Sequence, residues 1–558
     1  MKNNIRIALA QINCRVGDLE ANCSKIRYYL KRCEDAGVDI ACFPELAVTG
    51  YPPEDLLLKP KFIADNIHEL KQLAGEVRDI VAVIGFVDRH GGSLYNAAAI
   101  VYKGKIRGIY HKMFLPNYGV FDEERYFEPG EKTMVFNYGG LVFAVNICED
   151  IWHKDGPAMM HAKLGAKLVL NINASPYYAG KVKLRESILR VQAKKSRVDI
   201  AYVNLSGGQD ELVFDGQSMV VSAKGNIIQK AAAFEEDLLM VDLKVVPARA
   251  GSKKVILLEK YPALRKKPKL PKRHFQALTA PEEVYRALVL GVKDYAGKNG
   301  FGKAVIGVSG GIDSALVASV AADALGKDNV TGVFMPTHYS SPESEIDAKQ
   351  LCRNLGIQFI NISIEQAYKM YLMILEPHFA GLERNITEEN LQARIRGNIL
   401  MALSNKFHWL VLTTGNKSEM STGYATLYGD MAGGLAVVKD VPKTLVYKIC
   451  RWKNSVHQII PERIFTKPPT AELRHNQKDE DTLPPYAELD PILKAYVEED
   501  KELNQIVKSG FKKETVLDVM RLVDRSEYKR RQSPPGIKIT PKAFGRDRRM
   551  PITNGYKG

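Results

Sequence analysis

The sequence has few cysteines, and none of them forms a recognisable metal or disulfide motif. Its 558 residues contain seven cysteines, an odd number, and no C-x-x-C pair occurs. Cys14, Cys23, Cys33 and Cys42 lie too far apart for a zinc knuckle, and no paired histidines follow them. This usage argues against a zinc site and a disulfide framework, and it favours a reducing compartment.

Long apolar runs are missing as well. Runs such as DIVAVIGFV, residues 79–87, are too short to cross a bilayer. The N-terminal stretch MKNNIRIALAQINC turns polar too early for a secretory signal and has no cleavage pattern. We therefore expect a cytoplasmic protein that does not enter a membrane.

The length and the charge indicate two domains and anionic ligands. A chain of 558 residues exceeds one ordinary hydrophobic core. The net charge of +15 is concentrated in residues 253–274 and 524–549, and such an excess favours anionic partners. We interpret the first run as a solvated linker, whereas the second could equally be a solvated tail or a phosphate-binding segment.

Three segments differ in their pattern. Residues 1–248 contain many short β-branched runs with amphipathic helical stretches between them, which predicts a mixed α/β layered domain. Residues 249–278 are rich in Lys and Pro and are predicted to be a basic linker. Residues 279–558 alternate strand and helix patterns, which predicts a parallel sheet with ligands at the carboxyl ends of its strands.

The stretch GVSGGIDS lies at one of these strand ends and has the pattern of an anion-binding turn. Its glycines let successive backbone N–H groups converge on one anion, and the following helix adds its positive end. Asp313 would repel phosphate unless Mg²⁺ bridges the two. A loop that moves a γ-phosphoryl group uses a Lys, and none is present. We therefore expect the loop to hold a leaving diphosphate, as in adenylation, through Gly307, Val308, Ser309, Gly310, Gly311, Ile312, Asp313 and Ser314.

The S-G-G-x-D-S pattern after a strand resembles the pyrophosphate loop of the N-type ATP pyrophosphatases. Other stretches, among them EENLQARIRGNILMALSN, VLTTGNKSEMSTGYATLYGD, KPPTAEL and EYKRRQ, resemble the NAD synthetases. The resemblance implies a Mg²⁺ shared by Asp313 and Glu419. It also implies ATP contacts from Thr414, Lys443 and Thr470, and deamido-NAD contacts from Asn390, Arg394, Arg396, Glu419 and Lys529. One departure is Leu427, where ammonia-dependent members carry a Lys, so the dinucleotide contacts near it are open.

The first half has residues for thiol chemistry in the stretches FPELAVTGYPPEDLL, YHKMFLPNYGVFDEERYF and NICEDIW. Cys148 ends a strand and precedes a predicted helix start, a position expected to expose its sulfur and lower its pKa. Glu45 can accept the thiol proton and later activate water. Lys112 can stabilise the tetrahedral oxyanion.

The order Glu, Lys, Cys within these flanks resembles the nitrilase superfamily, over nearly all of residues 1–245. The resemblance implies an α-β-β-α sandwich and a second, supporting glutamate at Glu124. It further implies that the glutamine substrate is held by Tyr118, Ser175 and Lys181, with Arg185 as a possible fourth contact.

The combination resembles the glutamine-dependent NAD synthetases. The implied activity makes NAD, AMP and diphosphate from deamido-NAD and ATP, with ammonia supplied by hydrolysis of glutamine through a Cys148 thioester. The implied cofactor is Mg²⁺, and the partners are small molecules rather than nucleic acid or membrane. We expect a homo-oligomer and hypothesise a closed channel for ammonia.

Three alternatives remain open at this point. Another glutamine-fed adenylating ligase, such as a GMP or asparagine synthetase, would carry a G-x-C-x-G elbow or an N-terminal Cys, and neither occurs. An RNA-binding module would use the basic tail and bind RNA with a steep salt dependence. A regulatory protein could sense glutamine without turnover, and a glutamate-release assay separates that alternative.

Overall fold

The computed structural model describes residues 4–245, 255–262, 267–275 and 277–556. The chain divides into two compact units. The first comprises residues 1–209 and 213–277, and the second residues 210–212 and 278–558. Within the described ranges, no helix is both long and apolar enough to cross a membrane.

The first unit contains two large sheets between two helical layers, and a small two-stranded sheet formed by β10 and β11. A six-stranded sheet has the order β14-β1-β2-β3-β4-β5, and a seven-stranded sheet has the order β13-β12-β9-β8-β7-β6-β15. Its strands are β1 Asn4–Gln11, β2 Ile40–Cys42, β3 Val81–His90, β4 Ser93–Tyr102, β5 Lys105–His111, β6 Val135–Tyr138, β7 Leu141–Ile147, β8 Leu168–Asn173, β9 Asp199–Asn204, β10 Ser206–Gln209, β11 Leu212–Asp215, β12 Met219–Val221, β13 Ile227–Lys230, β14 Asp237–Lys244 and β15 Val255–Glu259. Its helices are α1 Leu19–Asp35, α2 Pro60–Glu76, α3 Pro157–Lys163 and α4 Lys181–Ser196.

The two sheets share one core, which explains the continuous apolar runs in the sequence. Every residue of β7 is buried. Phe143 and Val145 join Ile7 and Leu9 of the other sheet in that core, while Ala144 lies in a separate cluster. A strand buried on both faces has no polar alternation. Helix α2 packs on the six-stranded sheet with α1 against it, and α3 and α4 pack on the other sheet, so the predicted α-β-β-α sandwich is confirmed.

One strand lies inside the segment predicted to be a linker. Strand β15 pairs parallel with β6 at the edge of the seven-stranded sheet, so this part of residues 249–278 belongs to the first unit's sheet rather than to a solvated connection. Positions 249–254, 263–266 and 276 of the predicted linker lie outside the described residues.

The second unit is built on five parallel strands in the order β18-β17-β16-β19-β20, as predicted. Helices α5, α6, α7 and α11 form one layer, and α8 and α9 pack against the sheet in another core. The strands are β16 Ala304–Gly307, β17 Val330–Phe334, β18 Gln358–Asn361, β19 Leu410–Thr413 and β20 Leu435–Ala436. The helices are α5 Ala280–Lys298, α6 Ile312–Leu325, α7 Pro342–Leu355, α8 Glu365–Phe379, α9 Ile386–Phe407, α10 Lys417–Thr422, α11 Lys443–Val456, α12 Glu462–Thr466, α13 Tyr486–Leu493, α14 Leu503–Val507, α15 Lys513–Arg525 and α16 Glu527–Arg530.

The strand order reverses in the middle of this sheet. From β16 the chain moves outward to β17 and β18, then returns to place β19 and β20 on the opposite side of β16. At such a switch point the loops that follow the two central strands diverge and leave a crevice. The loops after β16 and β19 are therefore the ones expected to hold a ligand.

Candidate active sites

The predicted amide-hydrolysing residues of the first unit meet in a buried cluster of charges. Lys112 Nζ donates a hydrogen bond to Glu45 Oε1 at 2.7 Å. The same ammonium donates to both carboxylate oxygens of Glu123, at 2.8 and 2.9 Å. None of the three side chains is more than 5% exposed. The ammonium is thus held between two carboxylates by charge-assisted hydrogen bonds away from water.

Neutral donors complete this cluster. Asn96 Nδ2 donates to Glu45 Oε1 at 2.7 Å and to Glu123 Oε2 at 3.3 Å. The Ala174 N–H donates to Glu45 Oε2 at 2.8 Å, and the Tyr51 hydroxyl donates to Glu123 Oε1 at 2.9 Å. Both carboxylates therefore have fixed orientations, as a base that must reach one atom requires.

Cys148 follows β7 as the first residue of a short 3₁₀ turn, Cys148–Ile151. Its φ of +40° lies in the left-handed region that few side-chain-bearing residues adopt, and such strain is frequent at catalytic positions. The turn is held by Asp150, whose Oδ2 accepts from the Ile147 N–H at 2.9 Å and from the Tyr110 hydroxyl at 2.8 Å. The fold thus fixes the sulfur at the end of a central strand.

The predicted exposure and low pKa of Cys148 are wrong. The residue is 4% exposed. Burial raises the pKa of its thiol well above the usual range, Glu45 raises it further, and Lys112 opposes them. A four-residue turn also has too little helix to stabilise a thiolate. Cys148 is therefore a thiol in the resting state, and it would need a base in order to react as a nucleophile.

The second glutamate is Glu123 rather than the predicted Glu124. Glu124 is exposed, and its Oε2 accepts from Asn117 Nδ2 at 3.0 Å. Both residues lie in a 3₁₀ turn, Glu123–Arg125, in which neighbouring side chains point in different directions. Only Glu123 points towards Lys112.

The predicted glutamine contacts differ in exposure. Tyr118 is 57% exposed, and its hydroxyl donates to Oε2 of Glu149, the residue after Cys148, at 3.0 Å. Ser175 and Lys181 are buried. Lys181 Nζ donates to the Pro176 carbonyl at 2.7 Å. Their role in holding glutamine stays a prediction.

Arg185 is held by a buried ion pair. Its two terminal nitrogens donate to the carboxylate of Asp215 at 3.1 and 3.2 Å, and neither side chain is more than 1% exposed. These bonds give Arg185 a structural role in the described state, and its contact with substrate remains a prediction.

In the second unit, the glycine loop connects β16 to α6 as predicted. Gly310 has a φ of +75°, and a Cβ there would lie 2.5 Å from the Ser344 carbonyl oxygen, so a side chain cannot be accommodated. Ser314 Oγ donates to the Gly311 carbonyl at 3.0 Å, which closes the turn. The loop therefore presents its backbone and the start of α6 to the crevice.

The loop lines a cavity of about 280 Å³ at the switch point of the sheet. All eight residues 307–314 contribute to its wall, and so do other residues predicted to contact ATP or Mg²⁺, which are Thr414, Glu419, Lys443 and Thr470. Arg396, predicted to bind the dinucleotide, lines the same cavity. Burial lowers its pKa to about 10, while Glu472 and Asp430 act in the opposite direction.

Acidic side chains outnumber basic ones in this wall. Lys443 Nζ lies 2.5 Å from Asp313 Oδ2 and 3.6 Å from Glu419 Oε1. Asn416 Nδ2 donates to Asp313 Oδ1 at 3.0 Å. Burial raises the pKa of Glu419 to about 8, a rise that Lys443 opposes and Asp313 reinforces. The lining contains five carboxylates, Asp313, Glu419, Asp430, Glu472 and Asp479, and three cations, Arg396, Lys443 and Lys467.

Three residues predicted to bind the dinucleotide are not part of this wall and instead contact the segment 423–430. Asn390 Oδ1 accepts from Thr426 Oγ1 at 2.8 Å. Arg394 Nε donates to the Leu427 carbonyl at 3.3 Å. Lys529 Nζ donates to the carbonyls of residues 423 and 425, at 2.7 and 2.9 Å. Their dinucleotide contacts stay a prediction.

Sequence reasoning missed several polar residues that complete the two sites. Asn96 lies within a strand and gave no signal. Asn416 directly precedes a short helix with Glu419 three positions later, the spacing of a capping box, so its place near Glu419 could have been inferred. Lys467 belongs to the KPPTAEL stretch, from which only Thr470 was selected.

Two family models together match most of the chain. The carbon–nitrogen hydrolase model matches residues 6–250, and the NAD synthase model matches residues 284–533. A hydrolase unit that acts on carbon–nitrogen bonds, followed by an NAD synthase unit, defines a class of two-part amide-forming ligases. The fold class predicted for both units is confirmed.

Relatives that match over the full length narrow the class. The glutamine-dependent NAD(+) synthetase of Thermotoga maritima is 50% identical over 99% of this chain and 99% of its own. That of Aquifex aeolicus is 46% identical over 99% and 100%. A solved structure, glutamine-dependent NAD+ synthetase from Acinetobacter baumannii in complex with ADP, is 42% identical, covers 99% of both chains and has a TM-score of 0.77. The chain belongs to the glutamine-dependent NAD(+) synthetase family.

Proposed function

We propose that this protein converts deamido-NAD, ATP, glutamine and water into NAD, AMP, diphosphate and glutamate. One observation carries the proposal: a single chain contains both a buried Glu–Lys–Cys cluster and a lysine-free glycine loop at the switch point of a parallel sheet. The first arrangement suits release of ammonia from an amide, and the second suits activation of a carboxylate by adenylation.

The glutamine half begins with a thiol that must lose its proton during attack. Because burial raises the pKa of Cys148, Glu45 takes the proton as the sulfur adds to the carboxamide carbon. The Lys112 ammonium stabilises the oxyanion. Its charge is secure, because Glu123 and Glu45 outweigh the burial that would otherwise lower its pKa.

Collapse of this adduct breaks the carbon–nitrogen bond. Glu45 returns the proton to the departing nitrogen, which leaves as ammonia, and a thioester remains on Cys148. Glu45 then takes a proton from water as the water oxygen attacks the thioester carbon. The carbon–sulfur bond breaks, Glu45 passes this proton to the departing sulfur, and glutamate and the free thiol are released.

The synthetase half activates the nicotinate carboxylate of deamido-NAD. A carboxylate oxygen attacks the α-phosphorus of ATP and forms an adenylate, and the bond to the β-phosphate breaks. The diphosphate leaves into the glycine loop, whose backbone and helix start favour an anion. Ammonia then adds to the activated carbonyl carbon, loses a proton and displaces AMP, which gives the amide of NAD.

The charge of the cavity supports a divalent cation. Five carboxyl groups face three cations in its wall, and even with Glu419 protonated, as its pKa of about 8 implies near neutral pH, a triphosphate would meet more negative than positive groups. Asp313 and Glu419 share the Lys443 ammonium and the neutral donors of Asn416, and two carboxylates together with phosphate oxygens are the donor set typical of Mg²⁺. We propose that Asp313 and Glu419 hold Mg²⁺, which when bound neutralises the phosphates and withdraws charge from the phosphorus.

Further assignments belong to the same proposal. Tyr118, Ser175 and Lys181 would hold glutamine, and Asn390, Glu419 and Lys529 would hold deamido-NAD. We also propose the division into residues 1–248, 249–278 and 279–558, changed in one respect: β15, within the second segment, belongs to the first domain. We also propose a homo-oligomer and a cytoplasmic location. The location is supported by seven cysteines that are all free thiols.

One experiment tests the reaction as a whole. The purified chain is incubated with ATP, deamido-NAD, Mg²⁺ and glutamine labelled with ¹⁵N in its carboxamide, and the products are identified by mass spectrometry. We expect labelled NAD, unlabelled AMP and glutamate. Formation of ADP in place of AMP, or NAD without the label, would exclude the proposed chemistry.

A further inference from the structure

Lys467 is a cation of the nucleotide cavity without an assigned role. It lines the cavity together with residues 307–314. Its Nζ donates to Ser344 Oγ at 2.5 Å, to Glu472 Oε1 at 2.6 Å and to Ser341 Oγ at 3.2 Å. An ammonium has three N–H donors, and these three bonds use all of them.

These bonds place the Lys467 ammonium beside the glycine loop. At Gly310 a Cβ would lie only 2.5 Å from the Ser344 carbonyl oxygen and 2.9 Å from its Cα. The backbone of the loop therefore packs directly on the residue whose hydroxyl accepts from Lys467. An anion held by the N–H groups of this loop lies within the range of a flexible lysine side chain.

Lys467 can leave Glu472 without stranding a buried charge. The Oε1 atom of Glu472 also accepts from the hydroxyls of Ser341 and Ser344, both at 2.9 Å, and its Oε2 accepts from the Ser341 N–H at 3.4 Å. Lys443, by contrast, is held by the two carboxylates assigned to Mg²⁺. Lys467 is thus the more readily released cation.

We infer that Lys467 binds the departing diphosphate of ATP, and that Glu472 holds the lysine in place until the anion arrives. This inference rests on the proposed function and adds a residue to it. The glycine loop itself contains no lysine, so Lys467 supplies from α12's end the cation that other nucleotide loops include in their own sequence. Before the diphosphate arrives, the Glu472 carboxylate takes the place of the anion beside Lys467. Its negative charge repels a phosphate that approaches it.

The first test measures direct binding of inorganic pyrophosphate, with Mg²⁺, to the full chain by titration calorimetry. Loss of a charge-assisted hydrogen bond should weaken binding about tenfold or more in Lys467→Ala, and Lys467→Arg should retain most of it. The control is Lys478→Ala, an exposed lysine outside the cavity wall, which should bind as wild type does. In Lys467→Ala, the KM for ATP should rise, while a thermal melt like that of the wild type shows that the second unit is folded.

A second variant separates phosphate binding from a structural ion pair. Glu472→Gln removes a negative charge that faces the anion and keeps the hydroxyl contacts, so it should bind pyrophosphate more tightly, by about threefold or more. If Lys467 and Glu472 formed only a structural ion pair, both Lys467→Ala and Glu472→Gln should weaken pyrophosphate binding. Unchanged pyrophosphate binding in Lys467→Ala, or weaker pyrophosphate binding in Glu472→Gln, would overturn the inference about Lys467. The proposed function would still hold in that case, provided that the wild-type protein makes NAD. Failure of the wild type to release AMP would overturn both.

Discussion

Replacing Glu123 by Gln tests the buried charge cluster of the first unit. The substitution keeps the shape of the side chain and removes one negative charge. Lys112 now donates to both carboxylate oxygens of Glu123, at 2.8 and 2.9 Å, and an amide can accept at only one of them. A hydrogen bond to a charged group contributes about 1.5–3 kcal/mol. If that energy orients the ammonium for the oxyanion, kcat/KM for glutamine hydrolysis should fall about 10- to 100-fold.

The assay is glutamate release, compared with the matched variant Glu124→Gln. Glu124 is exposed and bonds only to the nearby Asn117 among its described contacts, so its substitution should leave hydrolysis within about twofold of wild type. Both variants should make NAD from added ammonium salt at the wild-type rate. Normal hydrolysis by Glu123→Gln, or an equal loss in Glu124→Gln, would refute the assignment of the second glutamate.

The titration of Glu123 predicts how glutamine hydrolysis depends on pH. Burial raises the pKa of Glu123 to about 6, an effect that Lys112 opposes and Glu45 reinforces. Below that pH the carboxyl is protonated and its ionic hold on Lys112 is lost. We therefore expect kcat/KM for glutamine hydrolysis to fall as the pH drops through about 6, and the profile of Glu123→Gln to lack this step. An unchanged inflection in the variant would assign the titration to another group.

Three other substitutions test the remaining parts of the structure. Cys148→Ala should abolish synthesis from glutamine and leave synthesis from ammonium salt intact, and loss of both in a folded protein would contradict the division of labour. Asp313→Asn should lower AMP release about 100-fold or more with either nitrogen donor, since it removes a proposed Mg²⁺ ligand; a near-normal rate would remove that ligand from the site. His161 is fully buried, neither ring nitrogen has a hydrogen-bond partner among the residues that the structure describes, and burial lowers its pKa to about 4. As the pH falls below about 6.5, His161 therefore binds a proton in the unfolded chain but stays neutral in the folded one. This difference lowers the free energy of unfolding by about 2 kcal/mol at pH 5. Thermal melts at pH 7.5 and 5 should show a smaller loss for His161→Phe, and equal losses would refute this role.

Strand ends were the most informative positions in the sequence. Glu45, Lys112 and Cys148 each follow the end of a strand, namely β2, β5 and β7, and the loops that follow strands are where a rigid scaffold commonly positions binding and catalytic residues. The residues after β16 and β19 could be expected to share one crevice, because the carboxyl ends of neighbouring parallel strands lie together. The glycine loop was predictable because its backbone conformation, as at Gly310, restricts the residue type.

Features that depend on where a side chain points, or on how deeply it is buried, could not be predicted from the sequence in the same way. Glu123 and Glu124 are adjacent in a turn without periodicity, so the sequence does not distinguish which one points inward. The pKa of Cys148 depends on how many carboxylates surround it and on how little water reaches it, and both follow from tertiary packing. Strand β15 lies in a charged, Lys-rich stretch, and its pairing with β6 overrides that local composition.

The order of strands in the second unit also has a consequence for how the nucleotide site is assembled during folding. Its two loops follow β16 and β19, which pair in the sheet although β17, β18 and four helices separate them along the chain. Contacts between such distant segments form late, because a large loop must close first. A chain that is incompletely synthesised or partly folded thus lacks the nucleotide site. Protection of the chain by ATP against proteolysis would therefore show that the second unit has folded completely.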